Sequence, residues 1–375
     1  MSEVSGHIVG ESALRIWGLP SAVRLRRQLE RAGADAGAAD RAGLPREPVA
    51  QRTVWLRADW VYDQAIVSAL AAAREDCALV ADDGRCVALQ VVAERHAEAL
   101  MALGAYGVPE GVRAVSVAAL ASSYDDKLRK RELPYLLPLT PETLPAVERR
   151  VFGGAYKGVT DAVTLYLWPA PARAVTRFCA HHGITPNQVT FASLLLVLAA
   201  MWLFWTGRYG PGLVAAWVMT FLDTVDGKLA RVTLQSTRFG DVFDHGIDLI
   251  HPPFWWWAWL VGLPAVGLPL ENASLVLTAI VAGYVLQRLE EGAFIAWFRM
   301  DMHTWRRFDS RFRLITARRN PNLVILTLSA LAGRPDIGIV AVAVWTMLSL
   351  GVHTLRLAQA ALQRRAGPLR SWLAP

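Results

Sequence analysis

Residues 223–248 read DTVDGKLARVTLQSTRFGDVFDHGID, and four carboxylates in this stretch stand inside two strongly apolar runs. Asp223 and Asp226 are three residues apart and Asp244 and Asp248 four apart, so a pair of helices here would each project two acids from one face. Gly227, Ala230, Arg231 and Gly240 lie between the pairs, in a loop just long enough to fold the second helix back on the first. The four acids would then converge. A carboxylate in a bilayer is costly unless it is paired, metal-bound or wet, and four uncompensated ones would exceed the whole stability of an ordinary domain. A cation is therefore expected, and all-oxygen ligation favours a hard ion, Mg²⁺ or Mn²⁺.

Asp223, Asp226, Gly227, Ala230, Arg231, Gly240, Asp244 and Asp248 also fall at every fixed position of D-x2-D-G-x2-A-R-x8-G-x3-D-x3-D. On these residues the chain resembles the membrane-embedded CDP-alcohol phosphotransferases, whose signature this is. A charged interhelical loop with aspartates at the helix ends does not explain the spacing. The resemblance implies transfer of a phosphatidyl or phospho-alcohol group from a CDP-linked donor to an acceptor hydroxyl, with release of CMP. It implies two metal ions held by Asp223, Asp226, Asp244 and Asp248, with Asp248 also serving as general base. Donor binding falls to Asp223, to Gly227, which leaves room for the flat cytosine, to Arg231 on the diphosphate, and to Ala230 and Gly240. The donor is either CDP-diacylglycerol or a soluble CDP-polyol, and a homodimer is expected.

Composition supports a membrane chain. Of 375 residues 54% are hydrophobic, and the mean hydropathy is +0.29. The apolarity is uneven: residues 1–140 are mixed and charged, and from Val189 onward long runs are almost free of charge. A net charge of +7 comes mainly from arginines that flank apolar helices, which points to anionic lipid and not to nucleic acid. Cys77, Cys86 and Cys179 have no metal spacing and suggest no disulfide framework. The start MSEVSGHIVG lacks the basic-then-apolar pattern of a signal peptide.

Residues 1–140 alternate short apolar strands (ALRIWGL, TVWLRA, CALVAD, CVALQVV, VRAVSV) with helical patterns near SAVRLRRQLERAG, DQAIVSALAAARE and ERHAEALMAL. This is the logic of a small cytosolic α/β domain with a mainly parallel sheet. Gly18 to Leu25 and Asp59 resemble worn copies of the nucleotide loop and metal aspartate of the nucleotidyltransferase domain that some CDP-alcohol enzymes carry. Leu19 and Pro20 break the glycine-rich cradle that a triphosphate needs, so this domain is expected to be an inactive relic. The alternative is a bifunctional enzyme that makes its own CDP-alcohol.

Residues 141–188 read as a linker and an interfacial amphipathic helix, with basic residues and Trp168 alternating with apolar ones from Tyr156. ITPNQVT resembles the family's TPN-x-x-T approach to its first span. Thr185 is the expected cap, and Asn187 is either part of the nucleotide site or a turn residue. Residues 189–375 then form a six-helix domain, with spans near 189–206, 211–230, 240–265, 272–297, 315–333 and 337–360. Arginine and lysine concentrate in the loops at 228–238 and 299–319 and in the tail. The positive-inside rule therefore puts both termini and the aspartates on the cytoplasmic side of a multi-pass inner membrane. The FWWWAW run at 254–259 reads as an interfacial belt or a dimer surface.

Acceptor recognition is assigned to Arg238, Arg288, Arg318 and Arg319, which would hold a phosphate on the acceptor alcohol or else lipid headgroups. For Arg288 the competing role is a salt bridge to Glu290 or Glu291. Two other classes remain: a transporter, for which an aspartate cluster at a cytoplasmic loop is poorly placed, and a silent scaffold, which would be expected to have lost a fixed position.

Overall fold

The computed structural model describes residues 4–36, 51–236, 238–365 and 367–374, without the side chains of residues 238, 239 and 241. These fall into two units. One is Met1–Asp125 with Arg131–Tyr156 and Arg231–Leu234; the other is Asp126–Lys130 with Lys157–Ala230 and Gln235–Pro375.

In the first unit the strands β1 (Val4–Val9), β2 (Arg52–Arg57), β3 (Cys77–Val80), β4 (Cys86–Val92) and β5 (Arg113–Val115) form a sheet in the order β1-β2-β4-β3-β5. Its helices are α1 (Ser21–Arg31), α2 (Gln64–Ala72) and α3 (His96–Gly104), at the positions the sequence predicts. Side chains alternate along the strands. Val54 and Leu56 face Leu25, Leu29, Ile66 and Leu70, whereas Trp55, Leu89 and Val91 face Ala99 and Leu103.

The sheet is mixed, which corrects the expectation of a mainly parallel one. β1–β2 and β3–β5 are parallel, but β2–β4 and β3–β4 are antiparallel. The cause is the tight Asp82-Asp83-Gly84 connection, with Gly84 at φ 86°, because a parallel pair needs a long crossover. ALRIWGL is not a strand of this sheet either. It shrinks to the pairs Arg15–Ile16 and Leu19–Pro20 around a turn with Trp17 and Gly18 at positive φ. The main-chain N–H of Trp17 in that turn donates to Glu148 Oε1, on α4 (Leu144–Gly154), at 3.0 Å.

The second unit is helical: α5 (Pro169–His181), α6 (Pro186–Trp205), α7 (Tyr209–Val232), α8 (Arg238–Gly262), α9 (Ala273–Phe298), α10 (Arg319–Leu331) and α11 (Pro335–Arg364) are its longer helices. Thr185 caps α6 in a reciprocal capping box with Gln188, and Pro186 takes the first helical position. Among the described residues α6, α9 and α11 are long and apolar enough to cross a membrane by length and composition. At 13 residues, α10 is about 20 Å long, shorter than the ~30 Å hydrocarbon core and than the 315–333 span the sequence predicts.

Helices approach closely where glycine removes a side chain. A Cβ on Gly262 would lie 2.0 Å from the Phe204 carbonyl oxygen, and one on Gly283 would lie 2.7 Å from Thr346 Cγ2. The FWWWAW run departs from the expected belt or dimer surface: Trp255, Trp256 and Trp259 are fully buried in the helical core. Their polar ends explain the choice, since Trp255 Nε1 donates to Val197 O and Trp259 Nε1 to Pro335 O, both at 3.0 Å. Only Phe254 and Trp257 of the run are exposed.

Candidate active site

α7 carries Asp223 and Asp226, and α8 carries Asp244 and Asp248. One carboxylate oxygen from each of Asp223, Asp226 and Asp244 lies within 4.8 Å of the others. Like charges at this range are strongly unfavourable without a counter-charge. Among the described residues Arg319, at the first position of α10, supplies counter-charge, donating Nη2 to Asp223 and Nη1 to Asp248. An all-carboxylate donor set of this kind suits a hard divalent ion. The three-acid group is therefore able to hold one, and Asp248 stands outside it on the Arg319 side.

One further contact fixes an acid, and another braces the helix beside Asp248. Thr190 Oγ1 donates to Asp226 Oδ2 at 2.7 Å and holds a carboxylate that is only 3% exposed. Near Asp248, Pro252 and Pro253 withdraw two main-chain N–H groups from α8. The Leu249 carbonyl that Pro253 leaves free accepts instead from the Tyr284 hydroxyl at 3.0 Å. Sequence reasoning placed Thr190 in the approach motif without seeing this bond, and it missed Tyr284, whose partner is a main-chain atom with no mark in the sequence.

Asn187, Asp226, Gly227, Ala230, Gly240 and Asp244 line one small cleft. Four of the expected donor-side positions thus share a wall with two acids, and glycine at 227 keeps that wall low. Arg231 turns Nε to the Ala155 carbonyl at 2.9 Å. The side chains of Arg238 and Asp241 lie outside the described residues.

The remaining arginines separate. Arg319 belongs to the acids, as above. Arg318 and Arg288 both pair with Glu291, Arg288 at 3.2 Å, so the expected salt bridge of Arg288 forms with Glu291, while Glu290 accepts from Thr354. Beside this cluster, Asp161 is buried on bonds from Thr164 and Asn320. Burial pushes its pKa up, and the Arg313 charge with those hydrogen bonds outweighs burial, holding it below the ordinary carboxylate value.

In the first unit Asp59 is not free. Arg57 bonds both its oxygens, at 2.9 and 3.1 Å, Tyr106 donates to it, and the Arg57 guanidinium lies 3.6 Å from the Tyr106 ring centre. Burial works to raise its pKa, but these bonds prevail and lower it.

The sequence profile of the CDP-alcohol phosphatidyltransferases matches residues 183–365. The chain is 34% identical over 114 residues to a phosphatidylinositol phosphate synthase of Mycobacteroides abscessus, covering 29% of this chain and 51% of that protein. It is 29% identical over 203 residues to a bifunctional IPC transferase and DIPP synthase of Rubrobacter xylanophilus, covering 54% and 44%. Against cholinephosphotransferase 1 of Gallus gallus the figures are 31% over 136 residues, 32% and 38%. The chain spans about half the length of the curated relatives it matches. With the acid geometry and the intact eight-residue signature, these matches assign residues 183–365 to the CDP-alcohol phosphatidyltransferase family.

Proposed function

We propose that the chain is an integral membrane CDP-alcohol phosphotransferase that moves a phosphatidyl or phospho-alcohol group from a CDP-linked donor to an acceptor hydroxyl and releases CMP. The observation that carries this is the convergence of Asp223, Asp226 and Asp244 within 4.8 Å in a matched family domain. Asp223, Asp226 and Asp244 would hold Mg²⁺ or Mn²⁺, two ions in the full site, which supply charge neutralisation at the diphosphate. Gly227 and Ala230 bound the space for the nucleotide, with Asn187 and Gly240 across the cleft. Arg231 would leave the Ala155 carbonyl to take the diphosphate. Asp248 takes the proton of the attacking hydroxyl, and Arg319 sets the direction of its carboxylate until the acceptor arrives.

Six spans, cytoplasmic termini and active site, and a homodimer complete this reading, supported by the arginine-rich loops and the family match. The front domain is read as a relic, because Asp59 is spent on Arg57 and Tyr106. The testing experiment is CMP release by the purified full chain with a panel of CDP-linked donors, lipid and soluble, and acceptor alcohols. Divalent-dependent release is expected, and no release from any pair sinks the reading.

A further inference from the structure

His353 on α11 is 1% exposed, and neither ring nitrogen has a hydrogen-bond partner. Its neighbours are His303, with ring centres 5.4 Å apart, and Glu291, whose Oε1 lies 3.9 Å from His353 Nδ1, beyond a hydrogen bond. His303 is itself frustrated. Its Nε2 lies 3.2 Å from Glu291 Oε1, to which it can only donate, and 3.3 Å from Arg318 Nη2, from which it can only accept. Arg288 Nε, Arg318 Nε, and Nε and Nη1 of Arg313 are also buried without partners. Orphaned buried donors are costly, and so many in one place ask for an acceptor with several oxygens.

The sign of the ligand follows from the charges. Glu291 and the two histidines offer a ligand set for a borderline metal ion, with atoms within 4.8 Å of one another. But Arg318 and Arg288 both lie on Glu291, so a dication would face two guanidiniums with one carboxylate to offset them. An anion meets Glu291 and Asp301 as repulsive partners, set against the guanidiniums of Arg288, Arg313 and Arg318.

The cluster is also joined to the aspartate site. Arg318 and Arg319 are chain neighbours, the first on Glu291 and the second on Asp223 and Asp248. Tyr284, bonded to the carbonyl of Leu249 next to Asp248, lies under Arg288, whose guanidinium is 5.5 Å from its ring centre. A molecule presenting a hydroxyl to Asp248 would thus have this cluster beside it.

We propose that His353, with His303, is a specificity-determining residue of the acceptor site, donating hydrogen bonds to a phosphate monoester carried by the acceptor alcohol. This rests on the phosphotransferase reading above. In either tautomer each imidazole has one N–H to give, and a phosphate oxygen would relieve His303 of its conflict by drawing Arg318 onto itself.

The test uses the full chain in nanodiscs, with CMP release measured for a polyol monophosphate and for the same polyol without phosphate. His353→Phe is expected to raise KM for the phosphorylated acceptor about tenfold with a far smaller change in kcat, and to leave KM for the plain polyol in place. His353→Gln, whose amide can donate, recovers part of the loss. Inorganic phosphate should compete with the acceptor in the wild type and about tenfold less well in His353→Phe. Equal effects on both acceptors, or none, overturn the proposal. So does one Zn²⁺ per chain that is bound by the wild type and lost in both His353→Phe and His303→Gln. If the wild type releases no CMP with any donor, the phosphotransferase reading falls instead, and calorimetric titration of polyol monophosphate into the wild type and His353→Phe decides the anion site by itself.

Discussion

Arg319 Nη2 donates to Asp223 Oδ2, so the first acid of the motif meets a guanidinium 96 residues further along the chain. Arg319→Ala removes the cation and leaves Asp223 and Asp248 facing each other, a loss of order 3–5 kcal/mol for one partner of a buried pair. Metal-free Arg319→Ala is expected to melt well below the wild type, and Mg²⁺ to restore more of its melting temperature than it adds to the wild type. An equal Mg²⁺ increment in both proteins refutes the view that arginine and metal share one charge-balancing role.

Asp223→Ala and Asp244→Ala should abolish turnover and remove Mn²⁺ binding, because each takes away a ligand from a three-acid group. Asp248→Asn should keep Mn²⁺ and donor binding while kcat falls on the order of 10² to 10⁴, the usual worth of a general base. Calorimetry of Mn²⁺ binding alongside CMP release separates the two, and wild-type kcat in Asp248→Asn would rule out the base.

Thr190→Val deletes the 2.7 Å bond to Asp226 without changing size. Supports of this kind are typically worth 10- to 100-fold in metal affinity, so the Mn²⁺ dissociation constant should rise by about that factor. A Thr190→Ser variant that keeps the hydroxyl should keep the affinity.

Asp161 gives a pH dependence with a definite sign. Its pKa is lowered on folding, so its contribution is present above the ordinary carboxylate value and is lost as pH falls through the folded value. The stability gap between the wild type and Asp161→Asn, followed by thermal melts in detergent, should be constant at neutral pH and close as the pH drops below about 4. A gap that widens on acidification contradicts the assignment.

A chain beginning near residue 141 should still release CMP, and the isolated residues 1–140 should not convert CTP and polyol phosphates to a CDP-alcohol. Arg57 and Tyr106 on Asp59, and Glu148 Oε1 on the Trp17 N–H, occupy the groups such chemistry would need. CDP-alcohol formation by the front part would make the protein a two-step enzyme.

The acid site was legible because its information is local: spacing along two helices decides which carboxylates share a face, and Asp223, Asp226 and Asp244 do converge. Helix positions were legible for the same reason. What escaped depends on long-range pairing. Nothing near Arg318 and Arg319 distinguishes their destinations, Glu291 and the aspartates, since adjacent residues on a helix start diverge by geometry alone. The direction of β4 was misjudged because alternation reports burial and not polarity, although the Asp-Gly turn carried the needed signal. The tryptophans of FWWWAW were read by hydropathy, which does not register that Val197 and Pro335 have carbonyls to offer.

Those tryptophans also divide the protein's ultraviolet emission into two populations. The indoles of Trp255, Trp256 and Trp259 are enclosed, whereas Trp202, Trp257 and Trp297 lie on the outside of the helices. Brominated acyl chains quench by collision and would extinguish the outer set alone. The residual light then comes from the enclosed indoles, Trp17, Trp55, Trp60 and Trp305 among them, and the share lost on replacing Trp255 with Phe is an intrinsic gauge of the junction between α6 and α8 that needs no attached dye.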